Sequence, residues 1–209
     1  PIKGLPVVDL TPILSGTYSS IVLADLGAAT IKIELLIGEG TRKLSAADPN
    51  NSSGCMDPYF ITLHRNKKSI TINLKEPLCK MLFQQLVKKS DTVIHNFSAD
   101  VTKNLGLDHP TFSRINSRII TCAINGFGSD GPGCMRPAFD QVAQATDGRL
   151  SITDLDSDQP VRAGVSVGDP GGWMYGAMGI LTAVIERDRS GKEQCVDRSI
   201  LDFRMSILN

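Results

Sequence analysis

The sequence has no excess of charge of either sign, because twenty-two basic residues are balanced by twenty-two acidic ones over 209 residues. A neutral chain has no global electrostatic attraction to nucleic acid or to an anionic membrane surface. It also contains no apolar run near the roughly 20 residues that cross a bilayer, and its first residues lack the pattern of a secretory signal. We therefore expect a cytoplasmic protein with neither a nucleic-acid partner nor a membrane partner.

Patterns typical of metal sites and of disulfide frameworks are also missing. The five cysteines are odd in number and widely scattered, and none forms a Cys-x-x-Cys pair. The three histidines, His64, His95 and His109, are too dispersed for a recognisable metal motif. The sequence therefore predicts reduced thiols and no bound metal.

The sequence does contain alternating strand and helix patterns, with enough apolar residues (41%) for the packed core of one domain. The predicted strands are residues 5–10, 30–35, 68–74, 92–95, 118–124 and 194–199. The predicted helices are residues 19–26, 101–105, 110–115, 139–145 and 173–186, with two more that begin at Glu76-Pro77 and near Leu201. Residues 38–59 predict a long surface loop. This alternation predicts an α/β protein whose parallel sheet is covered by helices on both faces.

A glycine-rich segment, residues 126–131, matches the dinucleotide-binding pattern Gly-x-Gly-x-x-Gly and follows a predicted strand. In that motif the third glycine lies at the start of a helix. Here Pro132, Gly133 and Pro137 follow, so no helix can open at the required place. We therefore predict no NAD site, although a loop at the carboxyl end of a strand is where open α/β sheets bind ligands.

Asp169 is the most informative candidate for a catalytic residue. Gly164, Gly168, Gly171 and Gly172 surround it, directly before an apolar run of helical periodicity. Glycine allows another molecule to approach closely, and a helix start supplies free N–H groups and the positive end of a dipole. A carboxylate in this position can act as a covalent nucleophile. The local pattern alone favours the alternative, in which Asp169 merely caps the helix.

Two other segments have both a functional and a structural explanation. Residues 65–68 (Arg-Asn-Lys-Lys) precede a predicted strand, which favours a solvated sheet edge and leaves a phosphate contact as the alternative. Asn96 ends a predicted strand, where its amide offers both a donor and an acceptor to a ligand. Asn is also frequent at strand ends because it turns the chain.

Taken together, these segments give the chain a family resemblance. The residues that carry it are 4–11, 23–28, 31–34, 38–42, 59–60, 66–70, 95–97, 105–106, 126–132, 136–140, 168–169, 179–183 and 196–197. In this order they are similar to the N-terminal half of a family III coenzyme A transferase, of the formyl-CoA and carnitine-CoA transferase (CaiB/BaiF-like) type. The resemblance extends over essentially all 209 residues.

The resemblance implies a Rossmann-like fold, with residues 1–209 forming the N-terminal portion of the large domain. It also implies that a small domain and a returning C-terminal segment are absent from this sequence, and the uncapped ending at Asn209 agrees with half of a larger protein. Members of the family form homodimers. They transfer coenzyme A (CoA) between small carboxylic acids and CoA thioesters, which are substrates, without a metal or NAD.

In the family, the residue that matches Asp169 is the nucleophile and forms covalent aspartyl intermediates. Glycine-flanked backbone N–H groups near it are expected to stabilise the oxyanions. The resemblance further implies contacts to CoA from four segments of this chain. These residues are Leu14, Ser15, Ile72, Asn73, Leu74, Lys75, Asn96, Phe97, Ser98, Pro137, Ala138, Phe139 and Asp140.

Several positions depart from the family pattern and keep alternatives open. Leu35 and Asn104 stand where basic residues are common, and because basic residues are lost there we expect weaker CoA binding. His95 stands where an acid is usual. The related acyl-CoA racemases pair the aspartate with a histidine at the position of Phe139, which makes a racemase the less favoured reading. A truncated, non-catalytic remnant that binds CoA or a protein is the other alternative.

Overall fold

A computed structural model describes residues 1–44, 57–153 and 159–208. This part of the chain contains six strands: β1 (Pro6–Asp9), β2 (Ala29–Glu34), β3 (Lys67–Thr71), β4 (Thr92–His95), β5 (Ile120–Asn125) and β6 (Gln194–Ser199). They form one sheet in the order β3-β2-β1-β4-β5-β6, and every neighbouring pair is parallel. The α/β fold class predicted from the sequence is therefore confirmed.

The helices lie between the strands along the chain. They are α1 (Ser15–Asp25), α2 (Pro58–His64), α3 (Pro77–Lys88), α4 (Ala99–Leu105), α5 (His109–Ile115), α6 (Asp140–Thr146), α7 (Arg149–Ile152), α8 (Gly168–Ser190) and α9 (Ile200–Ser206), with a 3-10 helix at Gly40–Lys43. No helix in the described ranges is both long enough and apolar enough to cross a membrane.

Helices cover both faces of the sheet because successive strand residues point to opposite sides. Val8 packs in one core cluster with Phe83 of α3 and Phe112 of α5. Val7, its neighbour in β1, packs in a second cluster with Ile180 of α8. The two clusters show why the buried strands read as continuous apolar runs in the sequence.

Several predicted boundaries were wrong. Strand β3 ends at Thr71 instead of residue 74, and α8 continues to Ser190 instead of ending at residue 186. The predicted loop at residues 38–59 contains the 3-10 helix and the start of α2, while residues 45–56 of that loop lie outside the described residues. Helices α1 and α8 begin at Ser15 and Gly168, four and five residues before the predicted positions 19 and 173. Their first turns are rich in Ser, Thr and Gly, so they carry no apolar periodicity that could be recognised.

These small residues allow α1 and α8 to pack closely. A Cβ added at Gly172 would lie 2.6 Å from Ser15 Oγ, and one added at Gly176 would lie 2.8 Å from Ile124 Cδ1 and 2.9 Å from Ser19 Oγ. The hydroxyl of Ser19 also donates a hydrogen bond of 3.0 Å to the backbone carbonyl of Trp173. This packing fixes the start of α8 against the beginning of α1.

Candidate active site

The site lies at the carboxyl edge of the sheet, where the strand order reverses. Strand β1 has β2 on one side and β4 on the other, so the loops after β1 and β4 diverge above the sheet. Open α/β sheets bind ligands in the crevice that such a switch point creates. Two neighbouring cavities occupy this region.

The first cavity, of about 290 Å³, lies between the start of α8 and the loops that follow β1, β4 and β5. Its walls include the predicted nucleophile and eight of the predicted CoA contacts: Leu14, Ser15, Asn96, Phe97, Ser98, Pro137, Ala138, Phe139 and Asp169. The second cavity, of about 250 Å³, is lined by four of the other five: Ile72, Asn73, Leu74 and Lys75. Pro12 and Phe97 line both cavities and separate them. The structure thus brings the predicted segments to one edge of the sheet.

Asp169 lies in the first turn of α8, not at the capping position, so the cap interpretation was wrong. The carboxylate of Asp140 satisfies the helix start instead. Its Oδ1 accepts hydrogen bonds from the backbone N–H groups of Gly168 (2.6 Å) and Asp169 (3.3 Å). Only glycine fits at position 168, because a Cβ there would lie 2.8 Å from Asp140 Oδ1 and 2.6 Å from Ile200 Cγ2.

This arrangement also reduces the number of N–H groups at the start of α8 that are free for the predicted stabilisation of an oxyanion. The free N–H groups of a helix are those of its first turn. Asp140 accepts from Gly168 and Asp169, and Pro170 has no N–H group. Residues 168–170 therefore offer no free N–H group for this role.

The surroundings of the Asp169 carboxyl group favour its protonated form more than bulk water would. Burial, together with the negative charge of Asp140, raises the pKa of Asp169 to about 6, although the positive charge of Arg204 opposes this shift. The carboxylate is thus still predominantly ionised at neutral pH, but it is poorly solvated. Perturbed carboxyl groups in clefts are common at catalytic sites.

Asp140 itself lines neither cavity. Its side chain is buried, accepts a hydrogen bond of 2.6 Å from Gln144 Nε2, and lies 3.4 Å from Arg204 Nη1. Arg204 is fully buried and donates from Nε to Asp147 Oδ2 at 2.6 Å. Among the predicted CoA contacts, Asp140 is thus placed to support α8 rather than to face a ligand.

The loops beside Asp169 are tied together by side-chain hydrogen bonds. Ser15 Oγ donates to the backbone carbonyl of Asp169 at 3.4 Å, and Asn96 Nδ2 donates to the carbonyl of Pro12 at 3.0 Å. Asn96 therefore fixes the wall between the cavities. Next to it, burial lowers the pKa of His95 to about 4, so this ring is neutral at physiological pH and stacks parallel to Phe97 with 6.1 Å between centroids.

Two residues near the site were missed in the sequence. Burial raises the pKa of Tyr59, and the negative charges of Asp169 and Glu39 raise it further, so its phenol lies within electrostatic reach of Asp169. The signal in the sequence was the Asp57-Pro58 start of α2, which places Tyr59 in the first turn of that helix. In the structure, Asp57 Oδ1 accepts a hydrogen bond of 2.7 Å from the N–H of Tyr59. Arg136 also lines the first cavity, although only its neighbour Pro137 was predicted to contact CoA.

Two further predictions concern ligands other than CoA, namely NAD and metal ions. No helix opens at the third glycine of residues 126–131, because the next helix is α6 and begins at Asp140. Within the described ranges, no group of three or more His, Cys, Asp and Glu side chains is arranged to hold a metal ion.

Comparison with known proteins identifies the family. The profile of CoA-transferase family III matches residues 2–209, and the chain belongs to this family. An acyl-CoA transferase from Fusarium pseudograminearum is 36% identical, over 99% of this chain and 46% of its own length. The succinate–glutarate CoA-transferase from Agrobacterium fabrum is 35% identical, over 100% of this chain and 53% of its own length.

A solved structure agrees with this assignment. The crystal structure of a CAIB/BAIF family protein from Brucella suis matches with a TM-score of 0.91 and 33% sequence identity, covering 100% of this chain and 55% of that one. The chain therefore spans about half the length of these relatives.

Proposed function

We propose that the protein transfers CoA between carboxylic acids, with Asp169 as the nucleophile. The observation that carries this proposal is the first cavity, in which a poorly solvated carboxylate with a pKa of about 6 faces the loops predicted to bind CoA. The relatives from Agrobacterium fabrum and Acetobacter aceti are named as CoA-transferases for succinate and glutarate and for acetyl-CoA and oxalate. We extend the class of reaction, but no particular acid, to this chain.

A carboxylate on the enzyme is useful in this reaction because the exchange of CoA between two carboxylic acids passes through anhydride and thioester intermediates. The enzyme's carboxylate can form both kinds of intermediate. Asp169 attacks the thioester carbonyl of the donor, which gives a mixed anhydride and releases CoA as its thiolate. The thiolate attacks the Asp169 carbonyl of the anhydride, so that the donor acid leaves and an aspartyl-CoA thioester forms. The acceptor carboxylate attacks this thioester, which gives a second anhydride and releases the CoA thiolate. The thiolate then attacks the carbonyl that came from the acceptor, so that the acceptor's CoA thioester forms and Asp169 is regenerated.

The placement of the cavities supports this chemistry. We assign the thioester to the first cavity, which contains Asp169, and more distant parts of CoA to the second, where Lys75 supplies a positive charge. Pro12 and Phe97, shared by the two cavities, would contact the part of CoA between them.

Acylation of Asp169 tests the proposal directly. The chain is incubated with a panel of short acyl-CoA thioesters and hydroxylamine, and peptides are examined by mass spectrometry. We expect a hydroxamate on Asp169 in the native chain and none in Asp169→Asn. Absence of the hydroxamate with every donor, while CoA still binds by calorimetry, would favour the non-catalytic remnant.

The racemase alternative has its own test. Phe139 lies in the wall of the first cavity at the place where a racemase would need a histidine. We expect no exchange of the α-proton of a 2-methylacyl-CoA in deuterated water. Exchange that depends on Asp169 would overturn the preference for transfer.

A further inference from the structure

The loop between β1 and α1 contains a strained residue. Ile13 has φ of 67°, in the left-handed region that β-branched residues rarely adopt. Such conformations persist only where surrounding contacts hold them, and they concentrate at functional sites. Ile13 lines the first cavity between Pro12 and Leu14, so the strain lies in the wall that faces Asp169.

Three side chains from separate parts of the fold hold three consecutive residues of this loop. Lys32 Nζ donates to the carbonyl of Thr11 at 2.6 Å. Asn96 Nδ2 donates to the carbonyl of Pro12 at 3.0 Å, as described above. The backbone N–H of Ile13 donates to Glu39 Oε1 at 2.9 Å. Of the three contacts, the one to Glu39 is made by the strained residue itself.

The carboxylate of Glu39 is held firmly in place. Its side chain is 6% exposed, and its Oε2 lies 2.9 Å from Lys32 Nζ and 3.1 Å from His64 Nε2. Thr41 Oγ1 donates to Oε1 at 2.7 Å. Burial opposes ionisation, but His64, Lys32 and Thr41 outweigh it and lower the pKa of Glu39 to about 2. Glu39 is therefore a fixed, charged acceptor.

We propose that Glu39 is a positioning residue for the transfer reaction. It holds Ile13 in its left-handed conformation, which keeps Pro12 in the wall between the two cavities and residues 13–15 in the wall of the first cavity. The role in binding CoA rests on the proposed function, whereas the control of the loop does not. A hydrogen bond to a charged acceptor is stronger than a neutral one, which suits it to hold a strained backbone.

Two variants separate the acceptor from its charge. Glu39→Ala removes the acceptor, whereas Glu39→Gln keeps an oxygen that can accept from the N–H of Ile13. We expect the Ile13 amide to exchange hydrogen at least about tenfold faster in Glu39→Ala, with a smaller change in Glu39→Gln and none at Val8 in the core of β1. Glu186→Ala, which removes an exposed carboxylate of α8, is the control. An unchanged exchange rate at Ile13 would overturn the proposal.

The effect on binding is measured on the same proteins. We expect Glu39→Ala to weaken CoA binding by about tenfold in calorimetry. Adding Ile13→Gly should recover part of this loss, because glycine adopts positive φ without strain. Loosening of the loop without any change in CoA affinity would refute the positioning role. If the Ile13 amide exchanges faster in Glu39→Ala but the native chain does not bind CoA, the control of the loop by Glu39 stands and the proposed function is refuted.

Discussion

At the scale of single residues, the site is organised around two carboxylates with different tasks. Asp140 is enclosed by hydrogen-bond donors, among them the N–H of Gly168 and the amide of Gln144. Asp169 belongs to another helix, α8, and lines the first cavity, where burial and the charge of Asp140 raise its pKa to about 6. Different surroundings thus make one carboxylate structural and leave the other available for chemistry.

The raised pKa predicts how acylation of Asp169 depends on pH. Only the ionised carboxylate is a nucleophile, so the rate at which acylation of Asp169 releases CoA should rise with pH and level off above a midpoint of about 6. The measurement is single-turnover acylation between pH 4.5 and 8. A midpoint near the ordinary value of 3.8 would contradict the described environment.

The same shift predicts an effect on stability. A carboxyl group whose folded-state pKa is raised stabilises the fold below its unfolded value of 3.8, and this contribution is lost as the pH rises through about 6. Asp169→Asn, which stays neutral, should therefore increase the free energy of unfolding at pH 8 by up to about 3 kcal/mol. Urea unfolding at pH 8 and pH 4 measures the difference, which should shrink at the lower pH. Equal effects at both pH values would count against the shift.

At the scale of elements, the position of Asp169 depends on how α8 starts. The cap comes from α6, because Asp140 reaches across to the N–H groups of Gly168 and Asp169. The other support comes from α1, whose Ser15 contacts the carbonyl of Asp169. Three helices that are distant in sequence thus define the position of one side chain.

A pair of substitutions at Asp140 separates its capping role from its charge. Asp140→Ala removes the cap and leaves Arg204 with one buried partner fewer, so it should lower the free energy of unfolding by at least about 2 kcal/mol. Asp140→Asn keeps an acceptor for the helix start and removes the negative charge next to Asp169. It should cost less stability and shift the midpoint of acylation below 6. An unchanged midpoint in Asp140→Asn would show that burial alone sets the pKa.

The close packing of α1 against α8 gives a further prediction. Gly176→Ala would place a Cβ 2.8 Å from Ile124 Cδ1 and 2.9 Å from Ser19 Oγ. Although alanine favours helix, this overpacking should lower the free energy of unfolding by about 1–3 kcal/mol. The comparison is Gly164→Ala, since nothing lies within 4 Å of the added Cβ there. Equal stability of the two variants would mean that the helices move apart readily.

The sequence was informative where burial alone determines structure. Buried strands such as Ile120–Asn125 are β-branched or apolar runs, and their bounds were predicted within about two residues. The exposed strand β3 ends three residues before its predicted end at residue 74. The starts of α1 and α8 were placed too late because contacts between the helices, not apolar periodicity, stabilise Ser15 and Gly168 there. The cap from Asp140 could not be predicted, since 28 residues separate it from Gly168 along the chain.

At the scale of the whole molecule, the described fold leaves apolar side chains exposed. On α8, Met174 is 47% exposed, Tyr175 44% and Met178 57%, and the chain spans about half the length of its relatives. Exposed apolar surface favours association. The homodimer expected from the sequence remains a prediction, and sedimentation of the purified chain at micromolar concentration tests it. A monomer at every concentration would contradict it.

The buried guanidinium of Arg204 links the proton affinity of Asp169 to the arrangement of the helices. Asp140, Asp169 and Arg204 belong to α6, α8 and α9, and after burial the charges of Asp140 and Arg204 have the largest effects on the pKa of Asp169. A rigid shift of α9 by a fraction of an ångström would change the balance between the repulsion from Asp140 and the attraction to Arg204. Through Arg204, the position of α9 therefore contributes to the acidity of a side chain that lies on another helix.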